Sequence, residues 1–342
     1  MKSALIVDFN ASEDWEFYRA IQEVSGDRWD LIRAVSNQHH GSKLREIKRY
    51  IRYFTVPLSV FFKRKQYKQI IAWQQFYGLI LAFYCSLLRV KDAPKITVMT
   101  FIYKPKKFLV IGMVYEKFIR FIIRSGYVHK FIVFSESEKE HYSKSLGINR
   151  EQIITIRLGI EDVRDSYNCE PVSKKSFLSA GRSNRDYGFL FSVWNTLKNS
   201  GGGYSLTVIC DKLNNYKDEY LTVLDNCHGK EYMRELGNCY AVILPLDDEN
   251  ISSGQLVILQ AMMLGKPVIV TRNRTVTDYI IDGYNGYVIE KNAESLIMVI
   301  KKLENKDIYE SISHNAREYF EKNFSLYSMG LEVANLIENN NE

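Results

Sequence analysis

Apolar positions along the chain fall into short runs, separated by longer stretches in which they recur every three or four residues. The short runs read as buried strands and the longer stretches as helices with one apolar face. In the first half the strands are Ala4 to Phe9, Ile70 to Trp73, Lys95 to Met99, Lys130 to Phe134 and Gln152 to Arg157. Helical spacing covers Trp15 to Val24, Gln75 to Leu88, Phe108 to Arg124 and Glu136 to Ser145, the last with Ser135 as its N-cap. Strand and helix in alternation predict an α/β fold built on a doubly wound parallel sheet. Residues 161 to 175 break the rhythm with charge, Asn and Pro, as a linker between domains does. The alternation then restarts with strands at Ser176 to Ala180, Tyr204 to Ile209, Ala241 to Leu244 and Val268 to Thr271. Helices follow at Tyr187 to Leu197 and at Gln255 to Leu264, the latter closed by Gly265. Two domains are expected, residues 1–165 and 170–320, with a helical segment over 321–342.

One first-half segment has a different balance. In Gly41 to Phe54, Leu44, Ile47, Ile51 and Phe54 share one helical face while Lys43, Arg45, Lys48, Arg49 and Arg52 cover the rest, and Pro57 is expected to end the helix. Val60, Phe61 and Phe62 then stand directly before Lys63, Arg64 and Lys65. Between residues 41 and 130 there are 19 basic residues against Glu46, Asp92 and Glu116. Basic and aromatic residues interleaved in this way suit an anionic membrane surface, where each cation contributes about 1 kcal/mol. The expected membrane-facing residues are Lys48, Arg49, Arg52, Lys63, Arg64 and Lys65; the alternative is a helix that packs its apolar face on the sheet. The helix over 108–124, with Ile111, Val114, Tyr115, Phe118, Ile119 and Ile122 on one side, is expected to be mainly core. No helix-turn-helix, RNP or zinc signature supports a nucleic-acid partner. The longest apolar run, Phe76 to Leu88, is short of the ~20 residues a membrane span needs, and the N-terminus reads as a strand rather than a signal peptide. Five Cys without a C-x-x-C pair read as reduced thiols. A cytoplasmic protein at the inner face of the membrane is expected.

Two places favour anion binding. Ser252, Ser253 and Gly254 precede the helix that begins with Gln255 and Leu256, where unpaired backbone N–H groups carry about half a positive charge. Gly181 and Arg182 follow a strand, with Arg185 three residues on, and the planar guanidinium matches phosphate oxygens two at a time. Together they favour a diphosphate. Asp247, Asp248 and Glu249 read as a solvated turn rather than a metal site, and His39, His40 and His228 as loop or surface residues.

On Gly181, Arg182 and Gly188, and on Gln260-Ala261-Met262, the chain resembles glycosyltransferases of the GT-B fold, family 4 or group 1 type. The resemblance is strongest over Gly181 to Gly188 and Ser252 to Val288. It implies two Rossmann-like domains facing across a cleft, with a terminal helix crossing back to the first. The family's Gly-Arg and later Lys hold the donor's diphosphate; here Tyr187 stands in place of the Lys, with Arg185 as the substitute cation. The family's two Glu, for donor sugar and ribose, are replaced by Ser252 and Gln260. The resemblance implies a diphosphate contact at Arg182 and a ribose contact at Gln260; the chemistry of the residues themselves adds Arg185, Ser253, Gly254, Gln255 and Leu256 as expected diphosphate contacts, with Ser252, Glu249 and Asn250 as the candidates for the sugar. On the acceptor side, Asn10, Thr100 and Phe101 occupy positions where the family often has Gly or His. No catalytic residue is assigned. The implied activity moves a sugar, with retention, from a UDP-sugar to a lipid-linked or saccharide acceptor in cell-surface polysaccharide synthesis, without metal or other cofactor. A nucleotide-sugar epimerase and a non-catalytic partner subunit with a decayed donor site stay open.

Overall fold

The computed structural model describes residues 1–34, 43–103, 109–170, 175–249, 253–273 and 276–338. The chain packs as two units, Met1–Leu158 with Tyr327–Glu342, and Gly159–Leu326.

In the first unit, strands β1 (Lys2–Val7), β2 (Trp29–Arg33), β3 (Tyr67–Ala72), β4 (Lys95–Val98), β5 (Val128–Val133) and β6 (Ile153–Thr155) form one sheet. Helices α1 (Glu16–Ser25), α2 (Lys43–Phe62), α3 (Gln75–Leu87), α4 (Leu109–Ser125) and α5 (Glu136–Leu146) connect them in turn. All pairings are parallel, in the order β2-β1-β3-β4-β5-β6. The winding direction therefore reverses between β1 and β3, and the carboxyl edge at such a switch point is where doubly wound sheets hold ligands. Ser135 caps α5 as expected, its hydroxyl accepting from Glu138 N at 3.2 Å.

Helix α2 differs from the sequence expectation because it runs through Pro57. An internal proline removes one backbone N–H and costs about 3 kcal/mol. Tyr84 donates its hydroxyl to the Phe54 carbonyl at 3.3 Å in the affected turn, and Pro57, Val60 and Phe61 are all buried, which offsets the cost. Helix α4 buries Ile119 and Ile122, as a mainly core helix should, but Val114 on the same expected side is 63% exposed.

In the second unit, β7 (Ser176–Ala180), β8 (Ser205–Ile209), β9 (Tyr216–Lys217), β10 (Leu221–Leu224), β11 (Ala241–Leu244), β12 (Val268–Thr271) and β13 (Tyr287–Ile289) form a second sheet. Its order is β13-β12-β11-β7-β8-β10-β9, parallel except for β9, with the switch point between β7 and β11. Helices α6 (Tyr187–Asn199), α7 (Gly229–Asn238), α8 (Gln255–Met263), α9 (Ala293–Leu303) and α10 (Lys306–Asn323) cover it. Phe177, Leu206 and Ile243 of one sheet face cluster with Leu190 and Trp194 of α6 and Leu296 and Ile300 of α9. Both faces of the central strands are covered, so β11 and β12 are buried at every position, as their unbroken apolar runs require.

The last helix, α11 (Leu326–Glu338), belongs from Tyr327 onward to the first unit. Gly330 makes this packing close: a Cβ there would lie 2.7 Å from both the Phe17 carbonyl oxygen and the Ala20 Cβ of α1. Tyr327 also donates its hydroxyl to Glu23 at 2.6 Å. No helix among the described residues is long and apolar enough to cross a membrane.

Candidate functional site

The carboxyl ends of β7 and β8 open onto a cleft of about 300 Å3. Gly181 and Arg182 line it after β7, Asp211 after β8, His228 and Tyr232 from the start of α7, and Leu256 and Gln260 from α8. Helix α8 begins at Gly254, whose φ of 91° lies in the left-handed region that glycine tolerates. Its first intrahelical bond runs from Ile258 N to Gly254 O at 3.0 Å, so the amides of the first turn carry the helix's positive end. Ser253, Gly254, Gln255 and Leu256 are thus gathered at one helix end, and Leu256 forms cleft wall. Arg182 is exposed into the same cleft and has no ion pair among the described residues.

Arg185 occupies a different place from the one expected, since it does not line the cleft. Its guanidinium sits between two glycine turns: a Cβ on Gly181 would lie 2.9 Å from its Nη2, and one on Gly254 would lie 3.4 Å away. Nε donates to the Ala180 carbonyl at 3.0 Å, and Nη1 donates to Ser183 O at 3.0 Å and Asn184 O at 3.4 Å. Burial pulls its guanidinium below the ordinary arginine value, the cost of desolvating a charge. Three donor contacts to backbone carbonyls make it a clamp for the loop. Asn184, at a φ of 53°, completes the stitching: its Nδ2 donates to Ser253 Oγ at 3.1 Å and its Oδ1 accepts from Asp248 N at 2.7 Å. Tyr187, at the position of the family's lysine, donates its hydroxyl to Gly181 O at 2.6 Å, and burial pushes its pKa up.

Gln260 lines the cleft with its Oε1 accepting from the Tyr232 hydroxyl at 3.1 Å. That contact orients the side-chain amide and leaves its Nε2 donors for a ligand. Tyr232 was not singled out in the sequence, because its place in the cleft depends on Gln260, 28 residues away on another helix. Asp211 and His228 stand 3.6 Å apart in the cleft wall; His228 is the loop residue expected, directly before α7, and Asp211, which comes from a separate loop, was not singled out in the sequence. Glu249 is exposed and does not line the cleft, while Asn250 and Ser252 lie outside the described residues. Lys291 bridges Asp186 at 3.3 Å and Asp247 at 3.0 Å, so the first acid of the Asp247-Asp248-Glu249 turn serves the loop.

In the first unit, the carboxyl edge at the β1/β3 switch point carries a cluster that the sequence reading did not single out. Trp15 and Trp73 meet edge to face at 4.9 Å, with Phe9 5.1 Å from Trp15. Asp8 directly follows β1 there, and burial pushes its carboxyl up from the ordinary value. Asn10 is exposed beside it, and Thr100 donates its hydroxyl to Trp73 O at 2.8 Å. Phe101 corrects an expectation: it is 2% exposed and packs on Phe131 at 4.9 Å, so it is core rather than acceptor side.

The basic face is likewise sorted by the structure. Lys48 and Arg52 are exposed on α2, and Lys63 follows its end, none with an ion pair among the described residues. Arg49 turns inward, its Nε buried, and feels the charge of Asp8. Arg64 lies over the Phe61 ring at 4.5 Å and pairs with Asp92 at 3.5 Å, and Lys65 pairs with the same carboxylate at 3.1 Å. Of the six expected membrane-facing cations, three remain available.

This division of labour makes opposite outcomes expected for two arginines. Arg182→Ala should weaken UDP binding about tenfold, or 1.4 kcal/mol, by calorimetry, while shifting unfolding free energy by less than ~0.5 kcal/mol. Arg185→Ala should lower unfolding free energy in urea by ~2–4 kcal/mol, because three carbonyls lose a charged donor.

Comparison with known proteins places these features. Residues 212–323 match the family model described as Glycosyl transferases group 1. Two uncharacterized glycosyltransferases of Methanocaldococcus jannaschii are 30% identical over 89 residues and 31% identical over 70. Those stretches are 25% and 20% of this chain, and the chain covers only 24% and 18% of the relatives' length. Among solved structures, a glycosyltransferase from Rickettsia africae matches with a TM-score of 0.59 at 16% identity over 99% of both chains. Anabaena HepE in complex with UDP-glucose matches at 0.58 and 14% identity, over 99% of this chain and 100% of that one. A sucrose-phosphate synthase from Thermosynechococcus elongatus matches at 0.59 and 12%, over 99% and 98%. The protein has the GT-B fold of two Rossmann-like units, and its residues 212–323 match the family model of group 1 glycosyl transferases.

Proposed function

We propose that the protein transfers a sugar from a UDP-sugar to a lipid-linked or saccharide acceptor, with retention and without metal, in cell-surface polysaccharide synthesis. The observation that carries this reading is the cleft where Arg182, the α8 N-terminus and the Gln260 amide converge. A nucleotide diphosphate presents a diphosphate to the first two and ribose hydroxyls to the third. Charge builds on the leaving diphosphate in the transition state, so fixed donors aimed at it are the main source of rate. Arg182 and the α8 amides supply them without metal. HepE, with the same fold, is known in complex with UDP-glucose, which favours uridine as the base.

Retention leaves the departing phosphate to take the acceptor's proton, so no side-chain base is needed. Asp8 supports a second reading. A carboxyl raised by burial at the first unit's switch-point edge has the character of a general base, and an inverting reaction would use one. The rings of Trp15 and Trp73 beside it suit an acceptor sugar.

The membrane half of the reading rests on α2. Ile47, Ile51, Phe54 and Phe62 are 55%, 53%, 53% and 74% exposed, so the apolar stripe faces outward instead of packing on the sheet. Lys48 and Arg52 flank it, as on a helix that lies in an interface and brings the protein to the inner face of the cell membrane.

Two measurements test the proposal. Incubation with UDP-, GDP- and dTDP-sugars plus alkyl-linked and free saccharides, followed by NMR of the product anomer, is expected to show transfer from a UDP-sugar with the donor's configuration. The inverted anomer would assign Asp8 the base role, and UDP binding without turnover of any donor would make the chain a non-catalytic subunit. Replacing Lys48, Arg52 and Lys63 together by Gln should cut co-sedimentation with phosphatidylglycerol-containing vesicles at least tenfold, since three cations contribute about 1 kcal/mol each. Equal sedimentation of variant and parent would refute membrane contact by this face.

A further inference from the structure

The first unit contains a second cavity, of about 580 Å3, within the ~300–1,000 Å3 range of small-molecule sites. Tyr53 and Phe54 of α2, Phe76, Ile80 and Phe83 of α3, and Phe118 of α4 line it, with Tyr50, Tyr115 and Val114 completing its walls. Every lining side chain is aromatic or aliphatic. Such a cavity in a packed interior would be closed by side-chain interdigitation; this one opens outward, where Phe54 and Val114 stand 53% and 63% exposed at its mouth. An open, concave cavity lined by aromatic and aliphatic side chains is the form that a site for an apolar ligand takes.

We infer that this groove holds the hydrocarbon chain of an anionic, membrane-borne acceptor. The inference rests on the lipid-linked acceptor reading above and adds where the chain lies. Two observations select this occupant. Lys48 and Arg52 are exposed on α2, Lys48 one turn from Ile51, and Lys117 is exposed on α4; none has an ion pair among the described residues. They match an anionic headgroup region around an apolar chain. One end of the groove also leads to the β1/β3 switch point. Phe76 lies in the first turn of α3, where Gln74 caps the helix by accepting from Phe76 N at 2.7 Å and donates to the Tyr53 hydroxyl at 3.3 Å. Gln74 directly follows Trp73 of the aromatic cluster, and Tyr53 feels the charge of Asp8. A chain in the groove therefore places its head group at the ligand edge of this unit's sheet. The lining Phe76, Ile80 and Phe83 follow one face of α3 along the chain's path, at the i, i+4, i+7 spacing that keeps side chains aligned.

The test is a fluorescence titration of the full chain with cis-parinaric acid, competed by dodecyl phosphate and, separately, by inorganic phosphate. Expected are saturable binding to the parent, displacement by dodecyl phosphate and none by inorganic phosphate. Phe54→Asp and Val114→Asp, each at an exposed mouth position, should weaken chain binding at least tenfold, while Phe54→Leu binds as the parent does. Thermal melts of the variants show that the fold is kept. Absence of saturable binding to the parent, or unchanged binding by both Asp variants, overturns the proposal. So does a change from dimer to monomer in sedimentation velocity on Phe54→Asp with chain binding intact, which would make the groove an interface between copies. The readout needs no donor turnover: loss of chain binding with UDP still bound sinks the groove alone, and loss of UDP binding in the parent sinks the donor reading alone.

Discussion

The candidate site of the second unit depends on one half-buried guanidinium. Arg185 fills the space that Gly181 and Gly254 leave by lacking side chains, and its bonds to Ala180, Ser183 and Asn184 carbonyls fix the turn after β7 against the start of α8. A guanidinium is suited to this because its fork satisfies several carbonyls in one plane. With that turn fixed, Arg182 is left exposed to the cleft, the left-handed turn at Gly254 starts α8, whose Leu256 and Gln260 line the same cleft, and Asn184 holds Ser253. Tyr187 adds a further bond to the same turn instead of a second cation facing ligand. The site thus has a braced turn, with Arg182 and a helix end as its positive groups among the described residues.

The first unit divides its work similarly between a covered and an uncovered surface. Pro57, Val60 and Phe61 attach α2 to the core, whereas Ile47, Ile51, Phe54 and Phe62 remain outside. A helix of this kind has two apolar stripes, and only one is needed for folding. The groove beside it and the cations along it are consistent with an apolar partner that carries negative charge.

Much of the fold was legible because its central strands are buried on both faces and so appear as unbroken apolar runs; Ala241–Leu244 and Val268–Thr271 match the expected bounds. Edge elements were not. Strand β2, WDLIR, lies at the end of its sheet and mixes charge with apolar residues, and β9 is only two residues long. Pro57 misled because a proline's cost is local while the burial that offsets it comes from the tertiary fold. Spacing placed both Arg182 and Arg185 correctly after β7, but which of two arginines turns inward depends on Gly254, 69 residues later. Phe101 and Arg64 illustrate the same limit: each stands in a loop of the right kind, and distant partners, Phe131 and Asp92, bring it inward. The Tyr232–Gln260 and Asp211–His228 contacts join elements that no sequence window contains.

The central claim is that the second unit recognises a diphosphate through Arg182 and the start of α8. Parallel calorimetric titration of UDP and UMP into the full chain tests it most directly, because the two ligands share base and ribose and differ only in the second phosphate. The account requires UDP to bind at least tenfold more tightly, a difference of about 1.4 kcal/mol. Equal affinities would contradict it.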